Sequence, residues 1–167
     1  MKRLALFVTI LLFGINMSAQ TNNFMFEDGK IYWQKIYESS IDVKSLLTNS
    51  GKFSDLNEVN GIISSRMIPA RIDLNGRSTM EVPIFIRDYD MSCFVRIQQK
   101  EGRYRVTVDG FKFYDRYEKD HPGTDLEFWY IKRDGSLKPS FEKTAAPVLN
   151  DALMDIFRPK ENLDDNW

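Results

Sequence analysis

The sequence holds one cysteine and one histidine in 167 residues. A lone cysteine forms no internal disulfide, and zinc sites draw on several Cys and His ligands, so only carboxylate sites remain open to a metal. A Ser-His-Asp or Cys-His mechanism would have to use His121, which lies in a charged His-Pro-Gly turn rather than beside a residue that would orient it. No glycine-rich phosphate loop, internal repeat or low-complexity tract is present; the Asp-Gly-Lys and Glu-Gly-Arg triplets are turns. Excess positive charge is also missing. The formal net charge is −1, which speaks against a nucleic-acid partner, since such partners draw a basic patch or a high pI.

The apolar run Leu4–Ile15 is too short to span a bilayer. It follows Lys2-Arg3 and precedes Ser18-Ala19, so residues 1–19 read as a secretory signal peptide cleaved near Ala19-Gln20. No cysteine stands directly after that point, the only one being Cys93, so no lipid anchor is expected, and no membrane span remains after cleavage. The expected location is the periplasm or the exterior. Losing Lys2 and Arg3 takes the basic residues from 23 to 21 against 24 acids, a mature charge of −3. Residues 20–28 read as a polar leader, 29–158 as one α+β domain, and 159–167 as a disordered tail.

The strongest pattern is Cys93–Asp115. Cys93, Val95 and Ile97 alternate with polar neighbours, and Tyr104, Val106 and Val108 do so after Glu101-Gly102. A two-residue loop there sets Ile97 against Val106 and Val95 against Val108, and a one-residue slip would mix the faces. Cys93 falls on the inward face, as a small buried hydrophobe. Beyond Gly110 the phase changes, and Phe111 and Phe113 fall on the face of Arg105 and Thr107, with Gly110 as a bulge.

Upstream, Lys30–Glu38 reads as a first strand and Ile41–Ser50 as a short helix ended by Gly51. Val59–Leu74 reads as a long strand with an even-numbered apolar set. Asn75–Arg77 then forms a loop, Met80–Ile86 a strand, and Asp88-Tyr89 the turn into the hairpin. The sum is a four-stranded meander, with Pro69 and Pro83 requiring irregular pairing. Residues 126–132 read either as a strand or as the lead into the last helix. That helix is the clearest one: Ala145, Val148, Leu149, Ala152, Leu153, Ile156 and Phe157 keep i, i+3, i+4 spacing. Pro147 confines its start to near Thr144. The expected architecture is β-α-β-β-β-β-α, an antiparallel sheet in two layers with helices on one face.

With that element order, EGRYRVTV at Glu101–Val108, DGSLKPSF at Asp134–Phe141 and APVLNDALMDIF at Ala146–Phe157 resemble a family of exported bacterial proteins. It is a domain of unknown function with a TBP-like fold, common in Gram-negative gut commensals. The resemblance spans Gly29 to Phe157. It implies a curved antiparallel sheet carrying helices, and supplies neither an activity nor functional residues.

Paired carboxylates, Asp109 with Glu127 or Asp88 with Asp90, would be the raw material of a glycoside hydrolase, but nothing in the sequence marks them out. No enzyme and no cofactor are expected. The most suggestive surface is the basic run Arg96, Lys100, Arg103, Arg105, Lys112 and Arg116 among Phe94, Phe111, Phe113 and Tyr117. Its plain alternative is a solvated strand face whose charges discourage edge pairing. The expected function is a non-catalytic interaction module for a protein or a glycan. Its candidate face comprises Arg96, Arg105, Phe111 and Phe113, or the segment Asp115–Lys132. The alternative is a carrier of a small apolar ligand, with a pocket between the last helix and the sheet.

Overall fold

The computed structural model describes residues 22–159 except 75 and 119. The expected signal peptide and all but the first residue of the expected tail lie outside them. The chain runs β1 (Phe24–Glu27), β2 (Lys30–Tyr37), α1 (Val43–Ser50), β3 (Phe53–Val59), β4 (Ile62–Met67), β5 (Ala70–Arg71), α2 (Ile84–Asp88), β6 (Asp90–Lys100), β7 (Arg103–Tyr114), β8 (Thr124–Asp125), α3 (Leu126–Tyr130), α4 (Ser140–Lys143) and α5 (Ala145–Phe157). One antiparallel sheet has the order β1-β2-β7-β6-β4-β3; β5 pairs with β6, and β8 with β7. The class is α+β, as expected.

The central hairpin has the expected register: Val95 faces Val108, Ile97 faces Val106 and Lys100 faces Arg103. The partners around it differ from expectation. β6 pairs with β4, Ile63 facing Ile97 and Ser65 facing Val95, and β7 pairs with β2, Trp33 facing Val108. The long strand Val59–Leu74 is instead broken at Asn60-Gly61, where both residues take positive φ (53° and 73°) and close a hairpin between β3 and β4. Paired positive φ is what a two-residue hairpin turn asks of Asn-Gly. Pro69, which has no N–H for the ladder, separates β4 from β5. Met80–Ile86 is no strand: Met80 is 94% exposed, and Ile84, 66% exposed, opens α2 after Pro83. The leader also needs correction, since Phe24–Glu27 pairs with β2 as an edge strand. Leu126–Tyr130 is a turn of helix.

The helices lie on one face. Phe157 of α5 stacks on Trp33 at 6.0 Å and lies 5.7 Å from Phe53. Phe141 of α4 meets Phe24 edge-on at 5.2 Å, and Phe85 of α2 meets Phe113 edge-on at 4.9 Å. Tyr104 donates its hydroxyl to the carbonyl of Phe157 at 2.7 Å, tying the sheet centre to the end of α5. α1 starts at Asp42, whose carboxylate accepts from the Lys44 and Ser45 amides, and ends at Gly51 with φ 63°. Thr144 stands at the start of α5 but does not cap it; its hydroxyl donates back to the Ser140 carbonyl at 2.8 Å.

Asn150, half-buried at the flank of the α5 stripe, is a second tie. Its Oδ1 accepts from Trp33 Nε1 at 3.1 Å and from Asn23 Nδ2 at 2.8 Å. Asn150→Ala strands the indole N–H of a buried tryptophan, at an expected cost of about 1–3 kcal/mol. Asn150→Asp keeps the acceptor and is expected to cost less. Urea denaturation of the two variants checks the order.

Candidate functional site

Gly110 decides which residues reach the surface. β7 buries Tyr104, Val106 and Val108, then Phe111 and Phe113, so the inward set jumps from even to odd numbers. The jump is a bulge: Phe94 pairs with Asp109 and Ser92 with Lys112, leaving Gly110 and Phe111 opposite Cys93. Gly110 has φ 60°, a conformation that costs a side-chain-bearing residue roughly 1–2 kcal/mol. A bulge was expected here, but its consequence is the reverse of the expected one. Phe111 and Phe113 are 0% exposed, packed in the core, and are removed from the candidate face. An unbroken alternation would have sent them outward; the extra residue returns them to the face that α5 covers.

Arg96 and Arg105 remain exposed on the opposite face. Arg96 is ion-paired with Asp109 at the next rung, and Arg105 donates to Gln98. The register fills in their neighbours. One row carries Ile36, Arg105, Gln98 and Ile62; the next carries Gln34, Thr107, Arg96 and Ser64; the third carries Asp109, Phe94 and Arg66. Gln34 Nε2 donates to Thr107 Oγ1 at 3.1 Å. Ile36 is 50% exposed and Phe94 37%. Ile36, Gln34 and Arg66 belong to strands far away in sequence, so the alternation within β6 and β7 alone gave no sign of them. Only the strand order β2-β7-β6-β4 brings them in.

Two hollows mark this face. One, about 160 Å³, is lined by Ile36, Gln98, Lys100, Arg103, Tyr104 and Arg105. The other, about 260 Å³, opens over Gly110 between Arg66, Phe94, Lys112, Tyr114 and Asp125. Lys112 lies 3.5 Å from Asp125. Gly123 packs against this second hollow so closely that a Cβ there would sit 2.7 Å from Lys112 Cγ and 2.8 Å from Tyr114 Cε1.

Most groups with raised pKa values are core residues; the exceptions are Arg87, raised by its hydrogen bonds to Asp88, and Tyr89, raised by desolvation and by Asp115. Burial pushes the Cys93 thiol far up and holds it protonated, and pushes the Tyr104 hydroxyl up to about 12. Burial likewise raises Tyr37 and Tyr130. The lowered carboxyls have local partners: Asp42 through the Ser45 hydroxyl, Asp134 through the Ser136 hydroxyl, and Asp88 through hydrogen bonds from Arg87. His121 accepts the Gly123 amide at Nδ1, 3.1 Å away, within its own exposed turn. No group of three or more His, Cys, Asp or Glu residues arranged for a metal occurs among the described residues.

In the segment Asp115–Lys132, Tyr117 is 93% and Phe128 73% exposed. Trp129 is occupied by stacking on Phe85 at 4.0 Å. Between α1 and α5 an open groove of about 580 Å³ mixes Ile41, Leu46 and Ile156 with Asp42, Asn49 and Asp155. It lies outside the space where a carrier was expected to hold its ligand. Among the described residues no helix is long and apolar enough to cross a membrane.

No protein-family model matches the chain, and no curated protein matches it. Two solved structures are similar to it. One is a DUF4468 family protein from Bacteroides ovatus ATCC 8483, 14% identical, covering 84% of this chain and 93% of its own with a TM-score of 0.49. The other is a TBP-like protein from Parabacteroides distasonis ATCC 8503, 15% identical, covering 79% and 93% with a TM-score of 0.46. Both descriptions, a domain of unknown function and a TBP-like protein, agree with the resemblance drawn from the motifs.

Proposed function

We propose that the chain is an exported, non-catalytic interaction module of the periplasm or cell envelope, and that its binding surface is the outer sheet face around Arg96 and Arg105. One observation carries this reading. The helices pack on the inner face, while the outer rows of β2, β7, β6 and β4 leave cationic, amide and apolar side chains open to solvent. A sheet of this kind needs only one covered face for stability. The composition of the other face is therefore free to serve a partner.

The non-catalytic part rests on where the shifted groups lie. A general acid or a nucleophile is usually a perturbed group in a cleft. Here the strongly raised groups are buried tyrosines and a buried thiol. Arg87 is raised by its pair with Asp88 and Tyr89 by desolvation and Asp115, and the lowered carboxyls are engaged in caps, turns and that ion pair. The carrier reading has less support. Val148, Leu153 and Phe157, which would roof its pocket, are buried, and Phe157 is flanked by the rings of Trp33 and Phe53.

The test is photo-crosslinking in the native cell from Ser64 or Gln98 on the outer face, compared with Glu142 and Asp155 on the helical layer. Adducts are expected from the sheet positions only, and are expected to disappear when Arg96 and Arg105 are both changed to Glu. Equal adducts from the helical positions would remove the reading.

A further inference from the structure

The two hollows of the outer face share one chemistry. Each sets cations beside an apolar surface: Lys100, Arg103 and Arg105 beside Ile36 in one, Arg66 and Lys112 beside Phe94 and Tyr114 in the other, where Asp125 also lines the hollow and pairs with Lys112. Along β6 they are centred near Gln99 and Cys93, six residues apart, or about 20 Å at roughly 3.3 Å per residue. Between them lie Arg96, ion-paired with Asp109, and the hydroxyls and amide of Ser64, Thr107 and Gln34. A small ligand would fill one hollow and leave the other idle. A chain that repeats its negative charge and its hydrogen-bonding groups would engage both.

We infer that the occupant is an acidic polysaccharide, a glycan chain bearing uronate carboxylates, lying along β6 with carboxylates in both hollows. The inference rests on the outer face being the binding surface. Charge complementarity is its first support, since guanidinium groups take carboxylates through paired N–H donors. The shape of the face separates a glycan from a peptide that adds to an exposed strand edge or places an apolar helix in a groove. An acidic peptide held by Arg clusters is a further mode, which poly-L-glutamate represents in the test. This surface lies in the middle of the sheet, with β1 and β3 at the edges. Its hollows are shallow and flanked by rings and aliphatic surface, which suits the apolar faces of sugar rings.

Affinity electrophoresis of the purified protein tests this. The gels contain polygalacturonate, neutral dextran, poly-L-glutamate or a single-stranded oligonucleotide. Polygalacturonate is expected to retard the protein and dextran to leave it unmoved, and the retardation should weaken as salt is raised. R66E/K112E and R103E/R105E should each weaken binding about tenfold or more, and the combined variant should run as it does in dextran. R66K/R105K should retain part of the retardation. Unchanged thermal midpoints would show that these exposed substitutions leave the fold intact. Equal retardation by poly-L-glutamate or the oligonucleotide, with the same sensitivity to substitution, would overturn the polysaccharide while leaving the outer face as the binding surface. Retardation by none of the polyanions, or retardation that the substitutions do not alter, would overturn the inference. The crosslinking pattern then decides separately whether the face binds anything.

Discussion

Trp33→Ala is expected to lower stability by about 3–5 kcal/mol and the melting temperature by roughly 10–20 °C. Trp33 is fully buried at the centre of the inner face, paired with Val108 in the sheet and stacked on Phe157 of the covering helix. Its indole N–H is held by Asn150, so truncation also leaves a polar side chain of α5 with one donor fewer. The loss approaches the whole stability of a domain at the low end of the usual range of about 5–15 kcal/mol. Trp33→Phe keeps a ring against Phe157 while losing the donor and part of the indole's volume; it should cost markedly less. Thermal denaturation followed by circular dichroism gives both values. Near-equal costs would mean that the stack on Phe157 contributes little.

The second large effect is at Phe111. Phe111→Asp replaces a fully buried ring, whose centre lies 6.0 Å from that of Phe24, with a carboxylate, and is expected to abolish folding. Phe111→Ala should cost about 3–5 kcal/mol. Arg105→Ala, on the opposite face of the same strand, should stay within about 0.5 kcal/mol. If Phe111→Asp folds like the parent protein, the bulge at Gly110 does not turn the strand end inward, and the aromatic pair belongs to the surface after all.

Those two residues mark where the sequence stops being legible. The β6–β7 register could be read because both strands alternate cleanly and only one pairing keeps apolar residues opposite one another. Helix α5 could be read because its stripe runs for three turns with a proline confined to the start. The bulge could be placed at Gly110, but its effect on facing depends on how many residues oppose Cys93, which alternation within one strand does not encode. Upstream, the even-numbered apolar residues from Ile62 to Ile86 suggested two strands. Yet β4 buries the odd set Ile63, Ser65 and Met67. Ser65 is tolerated inside because its hydroxyl donates to the Ser54 carbonyl at 2.6 Å. The turn signal that mattered was Asn60-Gly61, a stronger hairpin dipeptide than the apolar count it competed with. The candidate site was legible in Arg96 and Arg105 alone. Ile36, Gln34 and Arg66 join them through pairings between distant segments.

The central claim is that the outer sheet face is the one that binds. Hydroxyl-radical footprinting, with and without the native envelope fraction, tests it most directly. In the free protein, Ile36 and Phe94 should be modified while Trp33, Phe111 and Phe113 stay protected. On adding the fraction, protection should appear at Ile36 and Phe94 and leave Met80, Ile84 and Phe128 unchanged. Protection confined to Met80, Ile84 and Phe128, with the sheet face still reactive, would contradict the account.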